Sequence, residues 1–416
     1  MTVAASRGPL TVEVEPRAVG FDAARLARAD AVLGRYVEDG RLPGWLLLVS
    51  RCGQIVHLAR SGYRDVEAKL PLETDTIFRM YSMTKPVTSV AAMMLYEEGA
   101  FDLRDPISRF IPAFADARVF RGGTALRPVT APASEPIRIW HLLSHTAGLT
   151  YGFLHQHVVD EMYRNAGFEW GFVPGLDLAA CCDRWASLPL LFEPGTQWNY
   201  SVATDVLGRI VEIASGRSLD EFFAERILGP LGLADTRFGV DPDDGGRLAV
   251  LYVPDKEGRA VRNDTLGAGA RRKPTALSGG GGLVSSARDY HRFTKMLLGG
   301  GELDGVRLLS RRTLRFMSRN HLPGGADLET VGRPIGESPV AGVGFGLGFA
   351  VVVDPVHGKS PSSIGEISWG GAASTAFWID PAEELIVIFL TQLFPSMTHP
   401  QLRSQLRQLV YQALVD

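Results

Sequence analysis

The chain has little of what marks a secreted, membrane-bound or nucleic-acid-binding protein. Its cysteines, Cys52, Cys181 and Cys182, form neither a disulfide framework nor a metal-ligand spacing, so a reducing compartment is expected. There is no apolar run of membrane-spanning length, and the first twenty residues contain no apolar core of signal-peptide length. The net charge is −3 and basic residues are not clustered. We therefore expect a cytoplasmic protein with neither membrane nor nucleic acid as partner.

Several catalytic motifs are also missing. No G-x-S-x-G is present, which excludes the nucleophile elbow of α/β-hydrolases, and there is no phosphate-binding loop. The glycines that alternate over 342–348 do not have dinucleotide-loop spacing and instead predict close backbone packing on a strand. His141 and His145 lie four residues apart but lack the adjacent glutamate of metalloproteases, so hydrogen-bonding roles are favoured. We expect no metal and no organic cofactor.

The remaining composition is that of a globular protein. With 416 residues, 45% hydrophobic and 21% charged, the chain can form a large core and two domains. Periodicity predicts helices over 21–39 and 402–414, a hairpin over 45–59, and strands at 76–80, 345–353, 364–368, 375–379 and 385–390. Between about 105 and 273 the pattern indicates short helices and few strands. The result is an α+β fold in which helices flank an antiparallel sheet.

A candidate nucleophile lies at the start of a buried helix. Ser82-Met83-Thr84-Lys85 precedes an apolar run over 87–95, and Gly99 predicts the end of that helix. A lysine three residues after a serine can reach its hydroxyl, and burial beside the positive end of the helix dipole disfavours an ammonium. The amine could then serve as the base that a serine nucleophile needs. Taken alone, a capping serine followed by an outward-reaching lysine explains this spacing at least as well.

Tyr200 is a second candidate. It follows a Pro-Gly turn and precedes Ser201 at a loop–helix junction, from which a side chain can point into a cleft. Near Lys85 its phenol would ionise more readily and could take the proton of Ser82, then return it to a leaving group. Taken alone, ordinary packing is the favoured interpretation of Tyr200.

The third candidate is the turn Trp369-Gly370-Gly371-Ala372 at the end of a predicted strand. Two glycines allow a ligand to approach the backbone closely, and an edge strand offers free N–H groups. One such N–H, paired with that of Ser82, would form an oxyanion hole. A simple Gly-Gly turn explains the pattern equally well.

Together, these motifs occur in the order and approximate spacing of the serine β-lactamase-like superfamily. The chain resembles the class C β-lactamase and penicillin-binding-protein fold, and most closely the family VIII carboxylesterases. The segment 137–149, with its His-Leu-Leu-Ser-His-Thr-Ala-Gly-Leu, is similar to one common in that superfamily. The resemblance covers residues 21–414. It implies an α/β domain built from 1–110 and 275–416, a mainly helical domain over 111–274, and an active site at their junction.

The resemblance also implies roles for individual residues. Ser82 would be the nucleophile, Lys85 its activating neighbour and Tyr200 the proton shuttle. The backbone N–H groups of Ser82 and Ala372 would form the oxyanion hole, and Tyr81 would contribute to the substrate pocket.

The departures from the family pattern concern this pocket. Val202 stands where β-lactamases have an asparagine, and Trp369-Gly370-Gly371 stands where they have Lys-Thr-Gly. The lysine of that motif binds the carboxylate of a β-lactam or peptide terminus. A tryptophan supplies an apolar wall instead of a cation, which favours a neutral ester as substrate.

We therefore predict a serine carboxylesterase that hydrolyses small, short-chain, neutral acyl esters through an acyl-enzyme intermediate. Three enzyme alternatives stay open: a β-lactamase, a D-amino-acid amidase or peptidase, and an acyltransferase. A catalytically silent penicillin- or peptide-binding protein is the non-enzyme alternative. The aromatic residues of 150–175 could wall the cleft or form an oligomer contact, and the sequence leaves the oligomeric state open.

Overall fold

The computed structural model describes residues 10–333 and 340–416. Its α-helices are α1 (Ala23–Glu38), α2 (Lys85–Glu97), α3 (Ile139–Leu143), α4 (Val158–Asn165), α5 (Leu178–Ala186), α6 (Ala203–Ser215), α7 (Leu219–Phe223), α8 (Gly229–Leu231), α9 (Asp264–Gly267), α10 (Ala287–Leu298), α11 (Arg311–Met317), α12 (Leu328–Val331) and α13 (Leu402–Tyr411). Its strands are β1 (Gly44–Arg51), β2 (Gln54–Asp65), β3 (Leu70–Pro71), β4 (Ile77–Arg79), β5 (Arg118–Thr124), β6 (Arg127–Pro132), β7 (Tyr252–Pro254), β8 (Ala260–Arg262), β9 (Val284–Ser286), β10 (Glu302–Leu303), β11 (Val306–Arg307), β12 (Val343–Phe345), β13 (Ala350–Val352), β14 (Ile367–Gly370), β15 (Ala376–Asp380) and β16 (Leu385–Leu390). Of the described helices, none combines the length and apolar character that crossing a bilayer requires.

One large antiparallel sheet organises the chain. Its eight strands follow the order β12-β13-β14-β15-β16-β1-β2-β3. β1 pairs with β2 on one side and with β16 on the other, so the N-terminal hairpin and the C-terminal strands share one sheet, as the sequence predicts. β1, β15 and β16 are buried along their whole length, and such strands need cover on both faces.

Helices cover both faces of the sheet, and each face has its own hydrophobic core. Leu47 and Val387 face the core that includes α1 and α13, whereas their neighbours Leu48 and Ile388 face the larger core that includes α2 and α10. This alternation follows from the period-two geometry of a strand. The larger core also contains the helices of residues 139–231, and within it α10 packs on β15 and β16 while α2 packs on α6.

Helix α2 is the most enclosed element near the candidate nucleophile. All residues from Lys85 to Leu95 are buried, which explains why the sequence of this helix lacks a polar face. A 3-10 turn, Tyr81–Thr84, precedes it, and Pro86 occupies its first turn, where a missing N–H costs nothing. Helix α2 packs against α6, which begins three residues after Tyr200.

Two details differ from the sequence-based expectations. Residues 111–274 contain the hairpins β5–β6 and β7–β8, which the sequence analysis did not predict. Pro128 and Pro132 lie in the first of these hairpins, because a two-stranded ribbon has exposed edges that tolerate proline.

The segment 345–353, predicted as one strand, is the end of β12, a turn and β13. The predicted close backbone packing is found at Gly346, where a Cβ would lie 2.2 Å from the Met317 carbonyl oxygen, whereas a Cβ at Gly344 or Gly348 would meet a side chain.

Candidate active site

Ser82 lies in the 3-10 turn before α2, and the structure brings both of its predicted partners to it. Its Oγ is 2.5 Å from the hydroxyl of Tyr200 and 3.4 Å from Nζ of Lys85. Tyr200 is separated from Ser82 by more than one hundred residues and comes from the helical region. The preceding residue, Tyr81, has a φ of +46°, a left-handed conformation that is uncommon for a side-chain-bearing residue. Such backbone strain is concentrated at functional sites.

The side chain of Lys85 is buried among oxygen atoms. Its Nζ donates to the carbonyl oxygen of Gly280 at 2.8 Å and to the hydroxyl of Tyr151 at 3.1 Å, besides its contact with Ser82. The same nitrogen lies 4.5 Å from the ring centroid of Tyr200. An ammonium carries three N–H donors, and three oxygen acceptors surround this one. The site thus accommodates a cation directly behind the Tyr200 phenol.

A carboxylate that the sequence analysis missed provides the opposite charge. Asp205 is buried on α6 and accepts a hydrogen bond from the Tyr151 hydroxyl. Burial raises the pKa of Asp205 above its ordinary value, and the nearby charge of Lys85 opposes that rise. Lys85, Tyr151 and Asp205 therefore form a buried cation–phenol–carboxylate chain. A charged residue on the apolar face of the helix after Tyr200 was the available signal.

Tyr151 also differs from Tyr200 in its environment. Burial raises the pKa of Tyr151 well above its usual value, and the negative charge of Asp205 raises it further. Tyr151 therefore stays a neutral phenol, whereas Tyr200 is the phenol in hydrogen-bond contact with the serine.

The glycine run over 279–282 closes the site from the other side. The N–H of Gly280 and the hydroxyl of Ser278 donate to Asp205 Oδ1 at 2.9 and 2.6 Å. A Cβ at Gly280 would lie 2.6 Å from the other carboxylate oxygen, so a larger residue would displace the loop. Because the carbonyl of Gly280 also accepts from Lys85, this loop holds both charges in place.

The predicted oxyanion turn lies against the nucleophile segment. A Cβ at Gly371 would come within 2.3 Å of the carbonyl oxygen of Met80, so this backbone contact requires glycine. Within residues 10–333 and 340–416 the N–H of Ala372 donates to no backbone carbonyl, and the N–H of Ser82 belongs to the first turn of a 3-10 helix, where N–H groups have no partner inside the helix. Two free N–H groups on adjoining segments are what an oxyanion hole needs.

The other predicted pocket residues are placed differently from one another. The ring of Trp369 lies 5.4 Å from that of Tyr200, so it does wall the site. Gly370 points to the opposite side of the sheet, where a Cβ would meet the guanidinium of Arg403 on α13. Val202 is buried just before α6, and its N–H donates to a backbone carbonyl at 3.4 Å.

A row of aromatic rings leads from Tyr200 to the surface. Tyr151 lies 5.2 Å from Tyr200 and 4.8 Å from Phe153, which stacks on Trp170 at 5.6 Å. Trp170 is 56% exposed and contacts Phe394 edge-on at 5.4 Å. We call Tyr151, Phe153 and Trp170 the aromatic wall. Other aromatics of 150–175 instead pack inward, with Phe168 and Phe172 both contacting Trp185.

Tyr81, the residue before Ser82, belongs to the same row of rings. Its ring lies 5.8 Å from that of Phe394, which in turn contacts Trp170. The row of aromatic rings therefore connects the segment of Ser82 with the loop of Trp170.

The two histidines of segment 137–149 have structural surroundings. Nδ1 of His141 accepts from the N–H of Arg138 at 2.9 Å, and Nδ1 of His145 lies 3.1 Å from the hydroxyl of Ser201. Burial lowers the pKa of His141 to about 3 and that of His145 well below its usual value, so both rings are neutral. His145 packs on the Tyr200 ring at 5.1 Å and so helps position that phenol.

Within the described residues, the side chains of Asp327, Glu329 and His357 form the group with potential metal ligands. Their ligand atoms lie within 4.8 Å of one another near the surface. His357 Nε2 is already 2.7 Å from a Glu329 oxygen, and that hydrogen bond raises the pKa of the histidine. These contacts describe an ion-pair cluster, and no metal role is assigned to it.

A serine in contact with a lysine three residues later and with a tyrosine phenol defines a serine hydrolase site. The family model "Beta-lactamase" matches residues 29–412, and the chain belongs to this family. The predicted β-lactamase-like fold is thereby confirmed.

Known proteins with full-length similarity agree with this assignment. Protein Rv1367c of Mycobacterium tuberculosis (strain ATCC 25618 / H37Rv) is 39% identical over 371 residues, covering 88% of this chain and 90% of that protein. Esterase EstB of Burkholderia gladioli is 33% identical over 425 residues, covering 96% and 98%. The solved structure of EstCE1, a hydrolase with promiscuous acyltransferase activity, matches with a TM-score of 0.77 at 30% identity, covering 93% and 99%.

Proposed function

We propose that this protein is a serine carboxylesterase acting on neutral acyl esters through an acyl-enzyme intermediate. The observation that carries the proposal is the 2.5 Å contact between the Tyr200 hydroxyl and Ser82 Oγ, with the Lys85 nitrogen 4.5 Å from the same ring. At these distances the phenol oxygen can accept the serine proton, which is the role of a general base.

In the first half-reaction, Tyr200 takes the proton of Ser82 as Oγ attacks the ester carbonyl carbon. The carbonyl oxygen becomes an oxyanion held by the N–H groups of Ser82 and Ala372. When the C–O bond breaks, the alcohol leaves with the proton from Tyr200. Water then enters, gives its proton to Tyr200 and attacks the acyl carbon, and Ser82 recovers its proton as the acid departs.

The surroundings of the site support an uncharged substrate. The rings that contact Trp369 are those of Tyr200 and Phe345, so an apolar surface stands where a β-lactamase has its carboxylate-binding lysine. Leaving an anion there without a partner would cost binding energy. The similarity to Esterase EstB, at 33% identity, favours ester hydrolysis for this chain as well.

Acyl transfer to an alcohol is the second candidate. Tyr200 protonates the departing alcohol, so an alcohol must lie near its hydroxyl, and the aromatic wall begins beside that ring. By microscopic reversibility the same place would receive an acceptor alcohol in place of water. The described activity of EstCE1, which includes acyl transfer, favours testing this reaction.

The test compares the wild type with Ser82→Ala and Tyr200→Phe on p-nitrophenyl butyrate. Loss of the nucleophile should lower kcat roughly 10⁴-fold or more, and loss of the phenol by about 10²–10⁴-fold. Ser89→Ala is the matched control, because Ser89 is a buried serine on α2, the helix that follows Ser82, with no hydrogen-bond partner for its hydroxyl among the described residues.

Other outcomes separate the alternatives. A fluorophosphonate should label Ser82 in the wild type, and unchanged activity in Ser82→Ala would refute the nucleophile. Hydrolysis of a cephalosporin as fast as the ester would establish a β-lactamase instead. Labelling of Ser82 without turnover of any ester would support a binding protein, and a new ester formed from added alcohol would reveal transfer.

A further inference from the structure

The turn that carries Ala372 is closed tightly on itself. The N–H of Gly371 donates to the carbonyl of Thr375 at 2.9 Å, and the N–H of Ser374 donates back to Gly371 at 3.1 Å. Ser374 has a φ of +67°, and its hydroxyl donates to the carbonyl of Leu393 at 2.7 Å. The turn therefore has few ways to move except as a unit. Its orientation toward Ser82 depends on what holds that unit from outside.

Arg403 contacts the turn that carries Ala372 from the other side of the sheet. This residue is on α13, on the face of the sheet opposite to Ser82, and its Nη2 donates to the carbonyls of Gly371 at 3.0 Å and Thr375 at 2.8 Å. The guanidinium reaches them by passing Gly370, where a Cβ would lie 2.3 Å from the same nitrogen. Glycine at position 370 is thus explained by the path of this side chain, and not by contact with substrate.

The contact has a chemical consequence for the reaction. The carbonyl of Gly371 and the N–H of Ala372 belong to one planar peptide unit. A charged donor on that oxygen draws electron density toward it and makes the N–H at the other end a stronger donor. It also fixes the plane of the peptide, and so the direction in which the N–H points.

We propose that Arg403 is a positioning residue for catalysis: from behind the sheet it orients and polarises the Gly371–Ala372 peptide, so that the N–H of Ala372 donates to the oxyanion. The inference rests on the proposed ester-hydrolysing function. The oxyanion carries more charge than the ester carbonyl from which it forms, so this help is greatest in the transition state. Arg403 therefore affects kcat and leaves substrate binding nearly unchanged.

The side of the turn that faces Ser82 is also held in place, so Arg403 mainly affects the orientation of the Gly371–Ala372 peptide. Gly371 rests on the carbonyl of Met80, and Met80 leads directly into the strained Tyr81 and the nucleophile. The turn is thus held between the nucleophile segment on one side and the guanidinium on the other. Loss of the rear contact lets the peptide plane rotate, whereas the front contact still keeps the turn near Ser82.

The experiment compares Arg403→Ala and Arg403→Lys with Arg407→Ala. Arg407 is one helical turn further along α13, 2.8 Å from Glu366 and 5.2 Å from the ring centroid of Trp378, and is not hydrogen-bonded to the turn. The Arg407→Ala variant therefore removes a cation from the same helix and the same side of the sheet as the variants at 403. Lysine at 403 keeps a charge and most of the packing, but it lacks the planar guanidinium. This second variant keeps the inference testable if Arg403→Ala unfolds.

Both variants at 403 should lower kcat for p-nitrophenyl butyrate about 10–100-fold, less than the loss of a whole oxyanion donor. KM should stay within about twofold, and Arg407→Ala should keep the wild-type kcat. A phosphonate transition-state analogue should bind the variants more weakly by the factor lost in kcat, because it carries the charged oxygen. A purely structural role would not produce this match.

A cavity of about 670 Å³, lined in part by Arg403, Arg407 and Trp378, lies between α13 and strands β13 to β15. It offers a route for chemical rescue, and added methylguanidinium should restore part of the kcat of Arg403→Ala more effectively than methylammonium does.

A kcat within twofold of wild type in both 403 variants would overturn the proposal. So would an equal loss in Arg407→Ala, or a change confined to KM. Failure of the proposed function itself looks different, because the wild type would then not hydrolyse p-nitrophenyl butyrate at all.

Discussion

Tyr151→Phe tests the buried charge chain most directly, because it removes a single oxygen atom. In the wild type that oxygen accepts from Lys85 at 3.1 Å and donates its proton to Asp205. Hydrogen bonds to charged groups contribute about 1.5–3 kcal/mol each, and part of that is recovered when the remaining groups relax. We expect the free energy of unfolding to fall by about 2–3 kcal/mol.

The same change should slow the reaction. The Lys85 nitrogen would keep its bond to the Gly280 carbonyl but lose the phenol that fixes its direction beneath Tyr200. A loss of about 1.4–2.7 kcal/mol in transition-state stabilisation corresponds to a kcat that is 10–100-fold lower. KM should change little, since Tyr151 is not proposed to bind the acyl group.

The assay is p-nitrophenyl butyrate hydrolysis combined with urea unfolding. Tyr252→Phe is the matched control, because the Tyr252 hydroxyl also joins a carboxylate, Glu67 at 2.7 Å, to a donor, the N–H of Val66 at 2.8 Å. The control should lose stability and keep its kcat. If Tyr151→Phe retained full kcat, or if both variants lost kcat equally, the chain from Lys85 to Asp205 would have no part in catalysis.

Two further predictions concern the substrate and the pH dependence of stability. Trp170→Ala should raise KM for a naphthyl ester about tenfold more than KM for the methyl ester of the same acid, since the exposed ring adds stacking surface for the alcohol group; equal KM changes would remove the aromatic wall from substrate binding. Burial raises the pKa of Asp289 to about 6, so the folded state binds this proton more tightly than the unfolded chain does. The free energy of unfolding should therefore fall by about 2 kcal/mol as pH rises from 4 to 7. Asp289→Asn should lack this contribution in urea titrations at several pH values, and parallel curves for the two proteins would contradict it.

Local patterns in the sequence predicted most of the elements that build the site. The apolar run after Ser82 predicted α2, and a serine and lysine three residues apart must share a face of any helical turn. Short apolar, β-rich runs between turn signals predicted β1, β2, β15 and β16, because such runs are typical of strands in a buried sheet. The hairpins in 111–274 were not predicted, because proline and glycine obscure alternation in short exposed ribbons.

The residues that meet the site from distant parts of the chain were harder to predict from the sequence. Tyr200 and the turn at 369–371 were recognised as candidates from their order along the chain. Only the structure shows how they lie relative to Ser82. Asp205 and Arg403 were missed entirely, and Tyr151 was considered only as one of the aromatic residues of 150–175 that could wall the cleft. Each is an ordinary residue in its local pattern, and its importance comes from a contact with a residue that is distant in sequence.

The sequence by itself determined the family pattern, the positions of the buried helix and sheet strands, and the candidate nucleophile with its lysine, since these depend on spacing within a few residues. Only the tertiary structure decided which charge balances Lys85, which of two phenols contacts Ser82, and what holds the oxyanion turn. The physical reason is that electrostatic and hydrogen-bond energies depend on distance and burial in space, and a linear chain records neither.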